Sequence, residues 1–369
     1  MPKLAAWAER GTTFSQHYAT SNKSELGTFA LLYGRSPIAF DTTLNANIPQ
    51  QACNMFGRAG YRRSLIASCI FKFARMDKFM NEENFDAITV HSHKDETVQW
   101  WRSDRSSLED ISRLINTEKA KPHFVVSYLM STHYSYDYPP EYENRNQTDM
   151  KRGALKEDSS KRYSIKREDL LNRYSNSLAY VDDEIDKLIQ SLDPEKNIII
   201  ITGDHGESFY EDGFVTHGTM LSEIQTHVPM VIVGPGFPQQ VITTPTSHVD
   251  LLPTLTHALT GKAAAIVNCH GTDVFSDQYK PQALLVHEYS DSWDLLLVRE
   301  EGRLKINLRR DKPIARVLGF TDNRAHIATD LAHPASEIPF WHRKLADELK
   351  PYRIRPQRPR MASGPQQQH

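Results

Sequence analysis

Residues Asn197 to Glu207 read NIIIITGDHGE, four consecutive isoleucines running into Thr202, Gly203, Asp204 and His205. A short β-branched run stopped by a glycine turn is the pattern of a buried parallel strand in an α/β sheet. An Asp-His pair at the carboxyl end of such a strand lies where open α/β sheets keep their chemistry. Both side chains can ligate one cation if the backbone turns sharply between them, and Gly203 and Gly206 are expected to supply that freedom. A strand ending in an ordinary polar turn is the alternative that this segment alone leaves open.

The rest of the chain alternates in the same way. Strands are expected at 12–19, 64–68, 87–91, 124–130, 198–202 and 228–233, and helices at 2–11, 24–34, 107–118, 168–192 and 249–259. The alternation predicts an α/β fold with a doubly wound, mainly parallel sheet and helices on both faces. From about Ala283 the pattern changes to short strands with small turns, so residues 1–280 are read as the α/β domain and 281–352 as a small C-terminal antiparallel subdomain. The polar, aromatic stretch 136–167 is read as a long surface loop, and the Pro-, Arg- and Gln-rich end, 353–369, as a disordered tail.

Forty-four basic against 46 acidic residues leave a formal charge of -2, which argues against nucleic acid as a partner. No run approaches the roughly 18 apolar residues of a membrane span, and residues 1–10 have no signal-peptide core. Cys53, Cys69 and Cys269 form no CxxC and allow at most one bridge.

Of 16 histidines, four fall at or just after predicted strands: His91, His133, His205 and His217. His133, beyond FVVSYLM, would point into the same crevice as Asp204 and His205, where its cation would hold a phosphate or sulfate oxygen. His217, in FVTHGTM, would fold back to give a second donor for that anion or for the leaving group. Ser24 opens a predicted helix, where free N–H groups favour an anion and a lowered hydroxyl pKa, so it is the candidate nucleophile. It equally fits an ordinary N-cap serine. The acidic cluster Asp182, Asp183, Glu184 and Asp186 reads as a solvated helix face, and His248 and Asp250 read as caps of the helix that follows. Trp100, Trp101, Tyr134, Tyr136 and Tyr138 are read as packing, with a lipid or glycan groove as the alternative.

The order MPKLAAWAERGTTFSQHYAT, FALLYGRSP, STH, TGDHGES, THG, VPMVIVGPG, HVDLLPTL resembles the sulfatase-like branch of the alkaline phosphatase superfamily over about residues 2–260. Within it the chain most resembles the bacterial lipoteichoic acid synthases, the lipid A phosphoethanolamine transferases and inner-membrane proteins with a periplasmic sulfatase-like domain. The resemblance implies one divalent metal, zinc or manganese, with calcium also compatible, held by Ser24, Asp204 and His205. It implies Ser24 as the esterified nucleophile, and His133 and His217 as ligands of the transferred phosphoryl group. The implied activity is hydrolysis or transfer at phosphate or sulfate esters, with a phospholipid headgroup passing to an envelope glycan or lipid at the periplasmic, extracytoplasmic face of the inner membrane. A simple sulfuric or phosphoric ester hydrolase, or a sulfatase-like pseudoenzyme that binds lipid or a partner protein, is the alternative.

Two departures from the family pattern bear on this. Ser24 is followed by Glu25, Leu26, Gly27 and Thr28, whereas formylglycine sulfatases require x-Pro-x-Arg. The family's first strand, with its acidic metal ligand, precedes the helix that here begins at Pro2. The chain is therefore expected to be N-terminally truncated, with the membrane anchor further upstream, and to bind its cation weakly.

Overall fold

The computed structural model describes residues 1–92, 99–143, 145–148, 165–262, 266, 268–300, 302–309 and 315–322. Its first half runs α1 (Pro2–Ala8), β1 (Thr12–Phe14), β2 (His17–Tyr18), α2 (Ser24–Tyr33), α3 (Phe40–Asn45), α4 (Gln51–Arg58), β3 (Arg62–Ala67), β4 (Ala87–Val90), α5 (Trp100–Thr117), β5 (His123–Tyr128) and α6 (Arg167–Ser191). Then come β6 (Ile199–Thr202), β7 (Ser208–Phe209), β8 (Val215–Thr216), β9 (Met230–Val233), β10 (Gln240–Ile242), β11 (Thr246–Ser247) and α7 (Leu251–Thr260). Four strands follow: β12 (Gln282–Glu288), β13 (Ser292–Arg299), β14 (Gly302–Arg309) and β15 (Ala315–Asp322).

Successive residues of a strand face opposite ways, so a strand covered by helices on both sides must be apolar throughout. In β6, Ile199 and Ile201 meet Leu4 of α1 and Ile185 of α6, while Ile200 and the preceding Ile198 meet Leu255 of α7. In β3, Ile66 meets Leu108 and Ile111 of α5, while Leu65 and Ala67 meet Leu26 and Phe29 of α2. Helices thus cover both faces, as the sequence indicates. Strands β4, β3 and β5 run parallel in that order; β10 and β1 are parallel, and β9 lies antiparallel between β1 and β6. Among the described residues β5 and β6 each have one hydrogen-bonded strand neighbour. That open edge is why the isoleucines of β6, expected in a buried parallel strand, are half-buried in one that pairs antiparallel with β9.

Helix α5 starts seven residues earlier than expected, because Trp101, Asp104, Leu108 and Ile111 keep a three-to-four spacing on its buried face. Tyr136, Tyr138 and Trp101 are buried in aromatic packing. The acidic cluster is not a solvated face. The Asp182 carboxylate is buried and accepts from Lys3 N at 3.0 Å and Leu4 N at 2.8 Å, satisfying free N–H groups of the first turn of α1. Asp183 and Asp186 pair with the Lys3 ammonium. A polar patch on one helix thus serves the amino end of another nearly 180 residues away.

Strands β12 to β15 form the expected antiparallel sheet, with Val286, Leu295, Leu297, Leu304 and Ile306 in its core. The three cysteines are free. The tail expected at 353–369, residues 323–352 of the C-terminal subdomain, and 149–164 of the long loop lie outside the described residues.

Candidate active site

Four segments converge at the carboxyl ends of β5 and β6: the amino end of α2, the turn after β6, the loop after β5, and the loop after the β7–β8 hairpin. Lys23, not Ser24, is the N-cap of α2, so the serine hydroxyl caps nothing. Its Oγ instead lies 3.0 Å from His205 Nε2. His205 Nδ1 faces the Gly206 carbonyl at 2.9 Å. A carbonyl only accepts, so Nδ1 carries a proton, and in the neutral ring Nε2 then presents a lone pair to Ser24. Asp204 Oδ2 is 3.6 Å from the same Nε2 and accepts from the Tyr128 hydroxyl at 2.6 Å.

These separations suit a cation. A tetrahedral ion with bonds near 2.1 Å holds its donors roughly 3.4 Å apart, and Ser24 Oγ and Asp204 Oδ2 stand 3.0 and 3.6 Å from the His205 nitrogen. The His205 Nδ1–H to carbonyl bond is also the usual support of a metal-binding imidazole. Without a cation the same atoms form a Ser-His pair.

The His217 ring lies 3.9 Å from that of His205, and His133 meets the edge of His217 at 5.4 Å. The five residues read as the site, Ser24, His133, Asp204, His205 and His217, are therefore joined in one chain of contacts. His91 is not: its Nε2 meets Asp110 at 2.8 Å on α5. Nor is His248 a helix cap. The capping box is made by Ser247 and Asp250, and His248 is buried with its Nδ1 3.0 Å from His17 Nε2.

Two contributors escaped the sequence reading. Tyr128, the last residue of β5, fixes the Asp204 carboxylate. Glu207 accepts from Tyr136 at 2.9 Å and lies 2.8 Å from His217 Nδ1, orienting that ring. Its position in GDHGE, two residues past His205, was the available signal. Burial pushes the Glu207 carboxyl up to about 7, against the opposing pull of His205 and the Tyr136 hydroxyl. Burial also pulls Asp204 upward, but His205, Tyr128, His217 and His133 outweigh it, and the carboxyl lies below the usual range. His205, Glu207 and His217 also offer ligand atoms within 4.8 Å of one another. The carboxylate of that group is engaged by Tyr136 and His217, as that of Asp204 is by Tyr128, so the two sets overlap at His205 and both offer donors to a cation.

The turn itself works differently from the sequence expectation. Neither Gly203 nor Gly206 adopts a positive φ. Gly206 is required by proximity, since a Cβ there would stand 2.1 Å from the Ile224 carbonyl oxygen.

Among the described residues no helix is long and apolar enough to cross a membrane. The Sulfatase family model matches residues 1–261. Inner membrane protein YejM of Salmonella typhimurium is 23% identical over 268 residues, 70% of this chain and 38% of its own. Phosphoethanolamine transferase EptA of the same organism is 35% identical over 100 residues, 25% of this chain and 18% of its own. The chain thus spans less than two fifths of the length of either relative. Among solved structures, the phosphonate monoester hydrolase of Silicibacter pomeroyi superposes with a TM-score of 0.69 at 14% identity, over 95% of this chain and 90% of its own. A Vibrio parahaemolyticus protein of the alkaline phosphatase superfamily superposes at 0.63 and 18% identity, over 95% and 80%.

Proposed function

The chain belongs to the sulfatase family, and from that premise we propose that it acts on phosphate esters through Ser24, transferring a phospholipid headgroup to an envelope acceptor. The observation that carries the reading is the 3.0 Å approach of Ser24 Oγ to His205 Nε2 beside the Asp204 carboxylate. A divalent cation, zinc or manganese, held by these three side chains would supply the charge that polarises the ester and lowers the serine pKa.

The chain's own groups do the rest. Ser24, its hydroxyl proton released to solvent as its pKa falls, forms a bond from Oγ to phosphorus as the ester P–O bond opposite it breaks. The departing oxygen takes a proton from His217, whose ring Glu207 orients, and His217 recovers one from the acceptor hydroxyl in the second step, when Ser24 leaves as the alkoxide. His133 and His217 hold the phosphoryl oxygens by N–H donation; burial and the neighbouring His217 keep the His133 imidazole below its usual range, so it is a neutral ring and not the cation expected from the sequence. An acceptor hydroxyl then attacks the same phosphorus and frees Ser24; water in that place makes the reaction a hydrolysis. Phosphate is preferred to sulfate because the residues after Ser24 lack the x-Pro-x-Arg that formylglycine formation needs. The resemblance to YejM, named an inner membrane protein, supports work at that membrane, and the extracytoplasmic face is the side we propose.

The test is intact-protein and peptide mass spectrometry after incubation with phosphatidylethanolamine or phosphatidylglycerol vesicles and zinc or manganese. A headgroup adduct on Ser24 that is lost in Ser24→Ala is the expected result. Metal binding without an adduct or any ester turnover would overturn the reading in favour of a binding protein.

A further inference from the structure

The segment that leads into Ser24 is gripped from outside the α/β core. Val286 N, in β12, donates to the Thr20 carbonyl at 2.8 Å, and Ser21 bridges to Val286 in parallel. One residue on, Asn22 is wholly buried and its amide is fully engaged. Nδ2 donates to the Met220 carbonyl at 2.8 Å and to Gln225 Oε1 at 2.9 Å, while Oδ1 lies 2.9 Å from His287 Nδ1. Both amide protons point at acceptors, so Oδ1 accepts and His287 Nδ1 is the donor. Gln225, also wholly buried, commits its own Nε2 to Thr219 Oγ1 at 2.6 Å and Asp212 Oδ2 at 2.8 Å, in the loop that carries His217. Asn22 is therefore the crossing point of three segments: the C-terminal sheet, the nucleophile segment and the His217 loop. A buried network with every member satisfied resists displacement, because any shift strands a polar group away from water.

We propose that Asn22 and His287 are positioning residues, and that the C-terminal sheet sets where Ser24 stands relative to His217 through the chain His287, Asn22, Gln225. A small antiparallel appendage would have no such effect on the nucleophile. The inference rests on the proposed chemistry for its kinetic consequence, but its geometric consequence is independent of any activity.

Two substitutions test it. His287→Leu removes the donor, whereas His287→Asn puts an amide N–H near the place of Nδ1. Hydrogen exchange by mass spectrometry is expected to rise at least tenfold in residues 19–28 and 216–226 of His287→Leu, with β3 and β5 unchanged. Adduct formation on Ser24, or ester turnover, is expected to fall tenfold or more in kcat with less than a twofold change in KM. His287→Asn should recover most of both. Unchanged exchange in 19–28, a rise spread evenly over the molecule, or no recovery by the asparagine would overturn the proposal. Should His287→Leu not fold, Gln225→Met cuts the same chain at its other end and carries the same expectations. A wild type without ester chemistry would sink the proposed function while leaving the exchange result to decide this one.

Discussion

Gly27 lies one helical turn beyond Ser24 in α2, and a Cβ placed on it would stand 2.0 Å from the Asp204 carbonyl oxygen and 3.0 Å from its carbon. Ordinary van der Waals contact begins near 3.4 Å, so Gly27→Ala falls about 1.4 Å short of fitting. The obstruction is main chain and has no rotamer by which to escape. Overpacking of this kind costs about 1–3 kcal/mol, while alanine for glycine inside a helix returns about 1 kcal/mol. The net loss of stability is therefore about 0–2 kcal/mol, and the protein should still fold. Activity suffers more, because α2 and the turn carrying Asp204 and His205 can separate only by moving Ser24 away from His205. A misplacement of about 1 Å at reacting groups costs on the order of 100-fold in rate. Urea denaturation and ester turnover, measured side by side, give the two numbers. If Gly27→Ala keeps turnover within threefold of wild type, the contact between α2 and Asp204 does not set the site.

Other consequences are as direct. Burial, opposed mainly by Asp204, holds His248 down at about 4. Between that value and 6.5 the unfolded chain binds the proton that the folded one refuses, so this group's contribution is present above pH 6.5 and lost as pH falls toward 4. The wild type should lose on the order of 3 kcal/mol relative to His248→Gln across that window in denaturant titrations; a difference that is flat with pH refutes this. Asp250, raised by burial to about 6, runs the opposite way, which is why the comparison must be with the variant. Asp182→Ala should cost about 1–2 kcal/mol by leaving Lys3 N and Leu4 N without their acceptor, read as an earlier urea midpoint. Dialysis against metal-free buffer should strip most divalent cation from the proposed site of Ser24, Asp204 and His205, and Asp204→Asn should abolish the zinc-induced rise in melting temperature. One equivalent of zinc surviving dialysis would contradict the weak binding expected here.

Much of this molecule is written locally. Four isoleucines before a glycine specify β6, and Gly34, with φ 62°, ends α2 where the sequence puts its stop. The apolar stripe of α6 and the short strands after Ala283 are equally legible, since side-chain period depends only on the chain's own geometry. Motif order brought Ser24, His133, Asp204, His205 and His217 forward as candidates. What the sequence alone left open is which use of each polar group wins. Ser24 fits an N-cap as well as a nucleophile, and only the fold, by setting His205 beside it across 181 residues, takes it out of the cap. Asp182 looks solvated until the amino end of α1 is laid on it, and Glu207, Tyr128 and Asn22 have no periodicity to betray them. A strand or helix is decided by neighbours a few residues apart, whereas a buried polar side chain is decided by whichever distant donor or acceptor the packed core places within 3 Å. That choice belongs to tertiary structure.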